Sequence, residues 1–366
     1  MDVLLIDPPP TSEFGNMRQH GSIGTYKADM AYPPIDLMKI AGYLKLSGIP
    51  CLIHDANARR ETVEDVARLI RQEMPRIVVF ATSTTSLKSD MKLAARTKEI
   101  SSDITTASFG SHIRGAGRET LTAYNDLDIA IYGDAEYVVK ELVENNYRMD
   151  KTRGIYFRDG SIVRKNEPHP VVMNLDEYGI ASHDMIDPGL YHDPFTGEGP
   201  LTATYGQTGC INNCMYCMSI LHGEMRSRTV PHFMEELQFI KRCGFKEIFF
   251  FDCGFTNNDA WANALLDLML RESLDMSWWC VSRADRLNKA IMEKMYEAGC
   301  HSIGVGVESA NKDMIRTMGK GVDTDKVKSV IKDAHDIGLK ICLYFQFGLP
   351  GETVSTMEES LKYALS

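Results

Sequence analysis

Residues 209–217 read Gly-Cys-Ile-Asn-Asn-Cys-Met-Tyr-Cys, which places Cys210, Cys214 and Cys217 in one short run, spaced by three and then two intervening residues. Cysteine thiolates are the ligands of iron–sulfur clusters, and a four-iron cubane takes four ligands. Three protein thiols leave one iron open to a small molecule, so the expected chemistry is that of a [4Fe–4S] cluster with a site for an exogenous ligand. Structural zinc sites also begin with short Cys spacings, but zinc would need a fourth ligand close by. His222, five residues past Cys217, is the near candidate, and no second Cys pair follows at the usual distance. Three unrelated thiols packed as small hydrophobes would suit a Gly/Asn-rich loop poorly.

The other six cysteines, Cys51, Cys243, Cys253, Cys280, Cys300 and Cys342, are scattered singly. That pattern fits reduced thiols and predicts a cytoplasmic protein rather than a disulfide framework. The sequence opens Met-Asp-Val-Leu-Leu-Ile-Asp without a basic leader. No apolar run approaches the roughly 20 residues needed to cross a bilayer, so neither export nor membrane insertion is expected. With 366 residues, 44% of them hydrophobic and 25% charged, the chain has the length of about two domains and an ordinary globular composition. Its net charge of −10 argues against a nucleic-acid surface, which would carry a basic stripe.

Two α/β halves must position the cysteine run. In the first, short β-branched runs at 3–6, 51–54, 77–80, 105–109 and 129–132 alternate with helical patterns at 35–46, 61–73, 87–100 and 136–144. This βαβ series predicts a doubly wound, Rossmann-like parallel sheet over residues 1–148. Ligands bind such sheets beyond the carboxyl ends of the strands, at loops 7–10, 82–86, 110–117 and 133–136. Ser83 and Thr84 offer hydroxyls there, and Gly110 and Gly133 admit close backbone approach. Hydroxyls and glycines at strand ends are equally the residues of caps and turns. Residues 149–197 are expected to form a connector, with a hairpin at Asp159-Gly160 and proline punctuation beyond it.

Residues 198–366 resume the alternation, with strands predicted at 201–205, 247–252, 277–282, 301–307 and 339–347, each followed by a helical pattern. Five β/α units suggest part of a (β/α) barrel, in which chemistry gathers at the C-terminal ends of the strands, where the cysteine loop leaves the first strand. The chain stops within its fifth helical pattern, so a fragment lacking a sixth strand is expected. Strand alternation would turn Tyr205, Gln207, Trp278, Cys280, Tyr344 and Gln346 into the barrel.

The run Cys210, Cys214, Tyr216, Cys217 resembles the signature of radical S-adenosylmethionine (radical SAM) enzymes, three cysteines with an aromatic residue before the last. The resemblance extends to Gly306-Val307-Glu308-Ser309 and to Gly348-Leu349-Pro350-Gly351-Glu352-Thr353, and Ser282-Arg283 fits a basic residue facing the cofactor. It implies that Tyr216, Arg283, Glu308, Ser309, Gly348 and Pro350 help seat S-adenosylmethionine. Phe251-Asp252-Cys253-Gly254-Phe255-Thr256-Asn257 stands where the family usually has two acidic residues, and Cys253 and Gly254 depart from that pattern.

The first half resembles the cobalamin-binding domain of one branch of this family, through Asp7-Pro8-Pro9-Pro10, Tyr32-Pro33-Pro34-Ile35, Gly110-Ser111-His112 and Tyr132-Gly133-Asp134-Ala135-Glu136. Ser83, Thr84, Gly110, Gly133 and Glu136 are then its cofactor loops. The Asp-x-His-x-x-Gly motif that supplies a lower axial histidine in cobalamin mutases is absent, which implies cobalamin bound without that histidine. Methylthiotransferases, a second family with this barrel, carry three further N-terminal cysteines; here only Cys51 is present.

The resemblance implies an enzyme that reductively cleaves S-adenosylmethionine to a 5′-deoxyadenosyl radical and methylates an unactivated carbon of a small molecule or peptide through methylcobalamin. A reductant such as flavodoxin or ferredoxin would supply electrons. The alternatives are an anaerobic oxidative cyclase or other radical rearrangement of the same branch, or a non-enzymatic electron carrier or binding module.

Overall fold

The computed structural model describes residues 1–19, 24–26, 28–194, 199–219 and 223–366. The chain divides into two compact units, Met1–Thr202 and Ala203–Ser366. Among the described residues no helix is long and apolar enough to cross a membrane.

The first unit runs β1 (Val3–Asp7), β2 (Asn16–Met17), β3 (Gly24–Thr25), α1 (Ile35–Leu46), β4 (Cys51–Asp55), α2 (Val63–Glu73), β5 (Ile77–Ala81), α3 (Leu87–Ile100), β6 (Thr105–Phe109), α4 (Ser111–Ala123), β7 (Ile129–Ile131), α5 (Ala135–Glu144), β8 (Ile155–Asp159) and β9 (Ile162–Lys165). Its sheet has the order β4-β1-β5-β6-β7-β8-β9. The first five strands are parallel, and β8 and β9 add an antiparallel hairpin. Because helices cover both faces, β5 and all of β1 before Asp7 read as unbroken apolar runs, and both strands are buried throughout. The strand order reverses between β1 and β5, and a crevice opens outside the carboxyl ends of strands at such a switch point.

Local chemistry sets the helix ends. A reciprocal capping box between Thr62 and Asp65 starts α2, and Val66, Ala67 and Ile70 form its buried stripe. One expectation is corrected here. Residues 110–117, expected as a loop, form the first turns of α4, with Gly110 as its N-cap. Gly117 serves packing: a Cβ there would lie 3.1 Å from the Tyr156 ring. In the connector the expected hairpin forms as β8–β9 and extends the sheet of the first unit, and Ala31 bridges His192.

β10 (Leu201–Thr204) straddles the boundary, and the second unit continues with β11 (Gln207–Thr208), β12 (Arg226–Ser227), α6 (Val230–Arg242), β13 (Glu247–Phe250), α7 (Asp259–Arg271), β14 (Ser277–Ser282), α8 (Lys289–Glu297), β15 (Cys300–Glu308), α9 (Lys312–Thr317), α10 (Thr324–Ile337), β16 (Lys340–Phe345) and α11 (Val354–Ala364). Its sheet has the order β10-β13-β14-β15-β16, with β13 through β16 parallel, and forms the partial (β/α) barrel. An aromatic layer of Phe233, Phe250, Phe255, Trp261 and Trp278 joins this sheet to α6 and α7.

Trp278 lies on that helix side, not in the barrel interior as alternation predicted. Its Nε1 donates to the Ala298 carbonyl at 2.7 Å. Cys280, two residues on, shares the face. The opposite face carries Phe249 stacked on Trp279, with ring centroids 3.7 Å apart. It also carries Val281 and Tyr344, which pack over Gly304. The alternation itself is correct; along β14 the phase is shifted by one residue, and only the helix contacts fix it, whereas Tyr344 on β16 takes the face expected of it.

Candidate active site

The cysteine loop is an excursion from a short antiparallel stem in which Gln207 pairs with Ser227 and Thr208 with Arg226. Gly209 enters the loop at φ 78°, and a Cβ there would lie 2.4 Å from the Glu224 carbonyl oxygen, so the strand exit requires glycine. The Asp252 carboxylate fixes this exit from below, with Oδ1 accepting from the backbone N–H of Gly206 (3.2 Å) and Gln207 (2.7 Å). Gln207, expected to line the barrel, donates from Nε2 to the Phe255 carbonyl at 3.0 Å. The first acid of the family's acidic pair therefore holds backbone. The second position, Cys253, carries a thiol pushed up to about 12 by burial and then by neighbouring Cys210, Asp252 and Cys217.

Each thiol of the run has its own hydrogen-bond partner. Cys210 Sγ accepts from Asn212 N at 3.4 Å, Asn212 Nδ2 at 3.5 Å and Asn257 Nδ2 at 3.6 Å. The Arg283 guanidinium donates to Cys214 Sγ at 3.8 Å, and Cys217 Sγ lies 3.0 Å from Ser219 Oγ. Hydrogen bonds and a cation aimed at sulfur are the levers that tune iron–sulfur clusters. This donor set fits a cluster held by Cys210, Cys214 and Cys217. Among the described residues no three His, Cys, Asp or Glu side chains are drawn around a single ion-sized point. His222 lies outside the described residues.

Arg283 also donates to the Lys320 carbonyl at 2.7 Å and forks onto Asp285. Burial works against its charge, but Asp285 and then the thiols of Cys214 and Cys210 raise its pKa. Met215 N donates to the Met318 carbonyl at 3.1 Å, and Tyr216 packs on Met314, Ile315, Met318 and Leu349. The cysteine loop is thus fastened to the segment after α9 and to the Gly348–Gly351 turn.

Glu308 ends β15 at φ 66°, a left-handed conformation rare outside glycine, at a register shift between Gly306 and Glu308. Its Oε1 accepts from Lys320 Nζ at 2.7 Å, and the two side chains are only 14% and 6% exposed. A Cβ on Gly306 would lie 2.2 Å from Glu308 Oε1 and 2.4 Å from Lys320 Nζ, so that glycine is the floor of the ion pair. Burial and then the Glu308 carboxylate, to which its hydroxyl bonds, push the Tyr216 phenol well above its ordinary value. Ser309 is fully buried, and its Oγ meets Ser360 Oγ at 3.3 Å and accepts from Asn311 N at 3.2 Å, so it ties the Glu308 turn to α11. Gly348, at φ 86°, and Leu349 both donate backbone N–H to Glu352, closing the turn that carries exposed Pro350. Sequence reasoning missed Lys320; its signal was a lysine between Gly319 and Gly321, both at φ 68°.

In the first unit Ser83, Thr84, Gly110, Gly133 and Glu136 all fall beyond the carboxyl ends of parallel strands. Ser83 is buried against Ser86 (2.9 Å), whereas exposed Thr84 meets His112 Nδ1 at 3.1 Å. A Cβ on Gly110 would lie 2.2 Å from the Thr82 carbonyl oxygen, so glycine lets the loops after β5 and β6 touch. Gly133 similarly abuts Gly154. Burial and then Asp134 push Glu136 up to about 7.

No sequence signal marks Arg18. Fully buried, it crosses the switch point, donating to the Pro8 and Pro9 carbonyls (2.9 Å each) and to Asp90 (2.8 Å), and reaching Asp7 at 3.4 Å. It fixes the loop after β1 to the start of α3. Asp7 and Asp55 are register partners on β1 and β4, and both are buried. Burial raises both carboxyls, Asp55 to about 6. A raised folded-state pKa favours folding fully below the unfolded value near 4, and that contribution is lost as pH rises through about 6. Asp55→Asn is therefore expected to flatten the stability profile between pH 4 and 7, relative to wild type, by on the order of 3 kcal/mol. Urea melts across that window check it, and parallel profiles would contradict it.

A family model described as the radical SAM superfamily matches residues 204–364, and one described as a B12 binding domain matches residues 21–143. The chain carries a B12-binding domain followed by a radical SAM domain. Over its full length this radical SAM chain is 29% identical to the uncharacterized methyltransferase PH0819 of Pyrococcus horikoshii, covering 78% of that protein. It is 22% identical over 91% of its length to the anaerobic magnesium-protoporphyrin IX monomethyl ester cyclase of Synechocystis sp., covering 66% of it. It shares a fold, at TM-score 0.77 and 14% identity, with the radical S-adenosylmethionine methyltransferase TsrM from Kitasatospora setae, solved with cobalamin and a [4Fe-4S] cluster bound. That match covers all of this chain and 70% of the other. The chain thus spans 66–78% of these three relatives.

Proposed function

We propose that this radical SAM enzyme is a cobalamin-dependent C-methyltransferase. One observation carries the reading: Tyr216, Arg283, Glu308 and the Gly348–Gly351 turn, far apart in sequence, all pack on or bond to the loop of Cys210, Cys214 and Cys217 or its immediate partners. When bound, the cluster supplies the electron that cleaves S-adenosylmethionine to methionine and a 5′-deoxyadenosyl radical, and methylcobalamin supplies the methyl group for the substrate carbon. Cys210, Cys214 and Cys217 hold the cluster. Glu308, fixed by Lys320, presents a carboxylate to the cationic and hydroxylated parts of S-adenosylmethionine, and the Gly348–Gly351 turn offers backbone close to Tyr216. In the first unit, Thr84, Gly110 and Gly133 give the corrin hydroxyl and backbone surface beyond the parallel strands, with no histidine in the mutase-type axial motif. A reductant of the flavodoxin or ferredoxin class delivers the electron. The relatives with methyltransferase names support methyl transfer over the cyclisation of the Synechocystis protein.

The test is anaerobic reconstitution with iron, sulfide and cobalamin, then incubation with S-adenosylmethionine and reductant. Both 5′-deoxyadenosine and S-adenosylhomocysteine are expected. Formation of 5′-deoxyadenosine alone would favour cyclisation or rearrangement, and protein from a cobalamin-fed host without corrin absorbance would overturn the assignment of the first unit.

A further inference from the structure

Cys210 receives more hydrogen bonds than the other two thiols, and one of them comes from outside the loop. Asn257, 7% exposed, reaches from the segment between β13 and α7 to place Nδ2 3.6 Å from Cys210 Sγ. Two neighbouring observations say what this side chain is for. Gly254 carries no positive φ, so its backbone does not demand glycine, yet a Cβ there would lie 2.7 Å from both Nδ2 and Oδ1 of Asn257. Glycine at 254, one of the two departures from the family's acidic pattern, is the space the carboxamide occupies. The helix that follows does not need Asn257 either, because Asn258 is the N-cap of α7 and accepts from Trp261 N at 3.2 Å. Asn257 also keeps Oδ1 buried without a hydrogen-bond partner among the described residues. A buried unpaired acceptor costs stability, which a residue kept only for packing would avoid.

We propose that Asn257 tunes the reduction potential of the cluster through its N–H···S bond to Cys210, and that Gly254 makes that bond possible. The inference rests on the cluster reading above. An added electron raises the negative charge on the cluster and its sulfurs, so a donor aimed at sulfur favours the reduced state, and hydrogen bonds to sulfur are among the determinants of cluster potential. Removing the donor makes the midpoint more negative. Replacing it with a carboxylate does so further, and pushing it aside with a methyl group at 254 copies the removal. Asn257 thus acts through Cys210 as a positioning and tuning residue.

The test is an EPR-monitored redox titration of the anaerobically reconstituted full chain, without S-adenosylmethionine, alongside iron and sulfide analysis. Asn257→Ala, Asn257→Asp and Gly254→Ala are expected to keep the wild-type iron content. At the wild-type midpoint, the reduced-to-oxidised ratio is expected to fall about tenfold in Asn257→Ala, a shift of about 59 mV for a one-electron couple. The fall should be greater in Asn257→Asp and in the same direction in Gly254→Ala. Unchanged midpoints with full iron content would overturn the proposal. So would loss of the cluster from all three variants, which would make Asn257 a structural part of the loop. Wild-type protein that takes up no cluster would instead overturn the reading beneath it.

Discussion

Cys214→Ala is expected to leave the folded chain without its cluster, with iron near background after reconstitution and 5′-deoxyadenosine at the detection limit. Cys214 is the most enclosed of the three thiols, 8% exposed, and the one faced by the Arg283 guanidinium. Two remaining thiols cannot hold a cubane that takes four ligands, and the alanine leaves a half-buried cation directed at a methyl group. The informative control is Cys253→Ala. Cys253 is the fourth thiol near the site, close enough to Cys210 and Cys217 for their charges to raise it, and burial keeps it protonated. Thiolate, not thiol, ligates metal, so Cys253→Ala should retain full iron content and the wild-type spectrum. Iron and sulfide analysis with EPR of the reduced protein separates the two. A Cys214→Ala protein that still formed 5′-deoxyadenosine would remove the cysteine run from the chemistry.

Much of this architecture was readable because its signals are local. β1 and β5 are buried on both faces and announce themselves as Val-Leu-Leu-Ile and Ile-Val-Val-Phe; the cysteine run carries its ligands within nine residues. The unreadable parts depend on contacts distant in sequence. Its position beyond the carboxyl end of β6 argued for a loop at 110–117, but the chain enters α4 directly after Gly110, with a break in helical backbone at Ala116. Alternation along β14 says that Trp278 and Trp279 face opposite ways, and only the contacts of Trp278 with Ala298 and Phe250 say which way. Arg18 and Lys320 are single basic residues in irregular segments. Their importance arises from the carboxylates that the fold brings to them: Asp7 and Asp90 in one case, Glu308 in the other.

That pairing makes Lys320→Met the second large effect. The substitution keeps the aliphatic stem and removes the ammonium that Glu308 accepts from at 2.7 Å, leaving a carboxylate only 14% exposed, beside the Tyr216 ring and above the floor at Gly306. Breaking one side of a buried ion pair costs about 3–5 kcal/mol, because the remaining charge stays buried and uncompensated. The expected outcome is a destabilisation near the lower end of that range, since both groups keep slight solvent access, together with loss of measurable S-adenosylmethionine binding in equilibrium dialysis. The double variant Glu308→Gln with Lys320→Met separates the two effects. Removing both charges should recover most of the stability, as replacement of buried pairs by neutral groups often does, but should not restore binding, because the carboxylate proposed to receive the ligand is gone. If the double variant regained affinity along with stability, Glu308 would be a structural partner of Lys320, and the ligand site would have to be built from Arg283 and the Gly348–Gly351 turn alone.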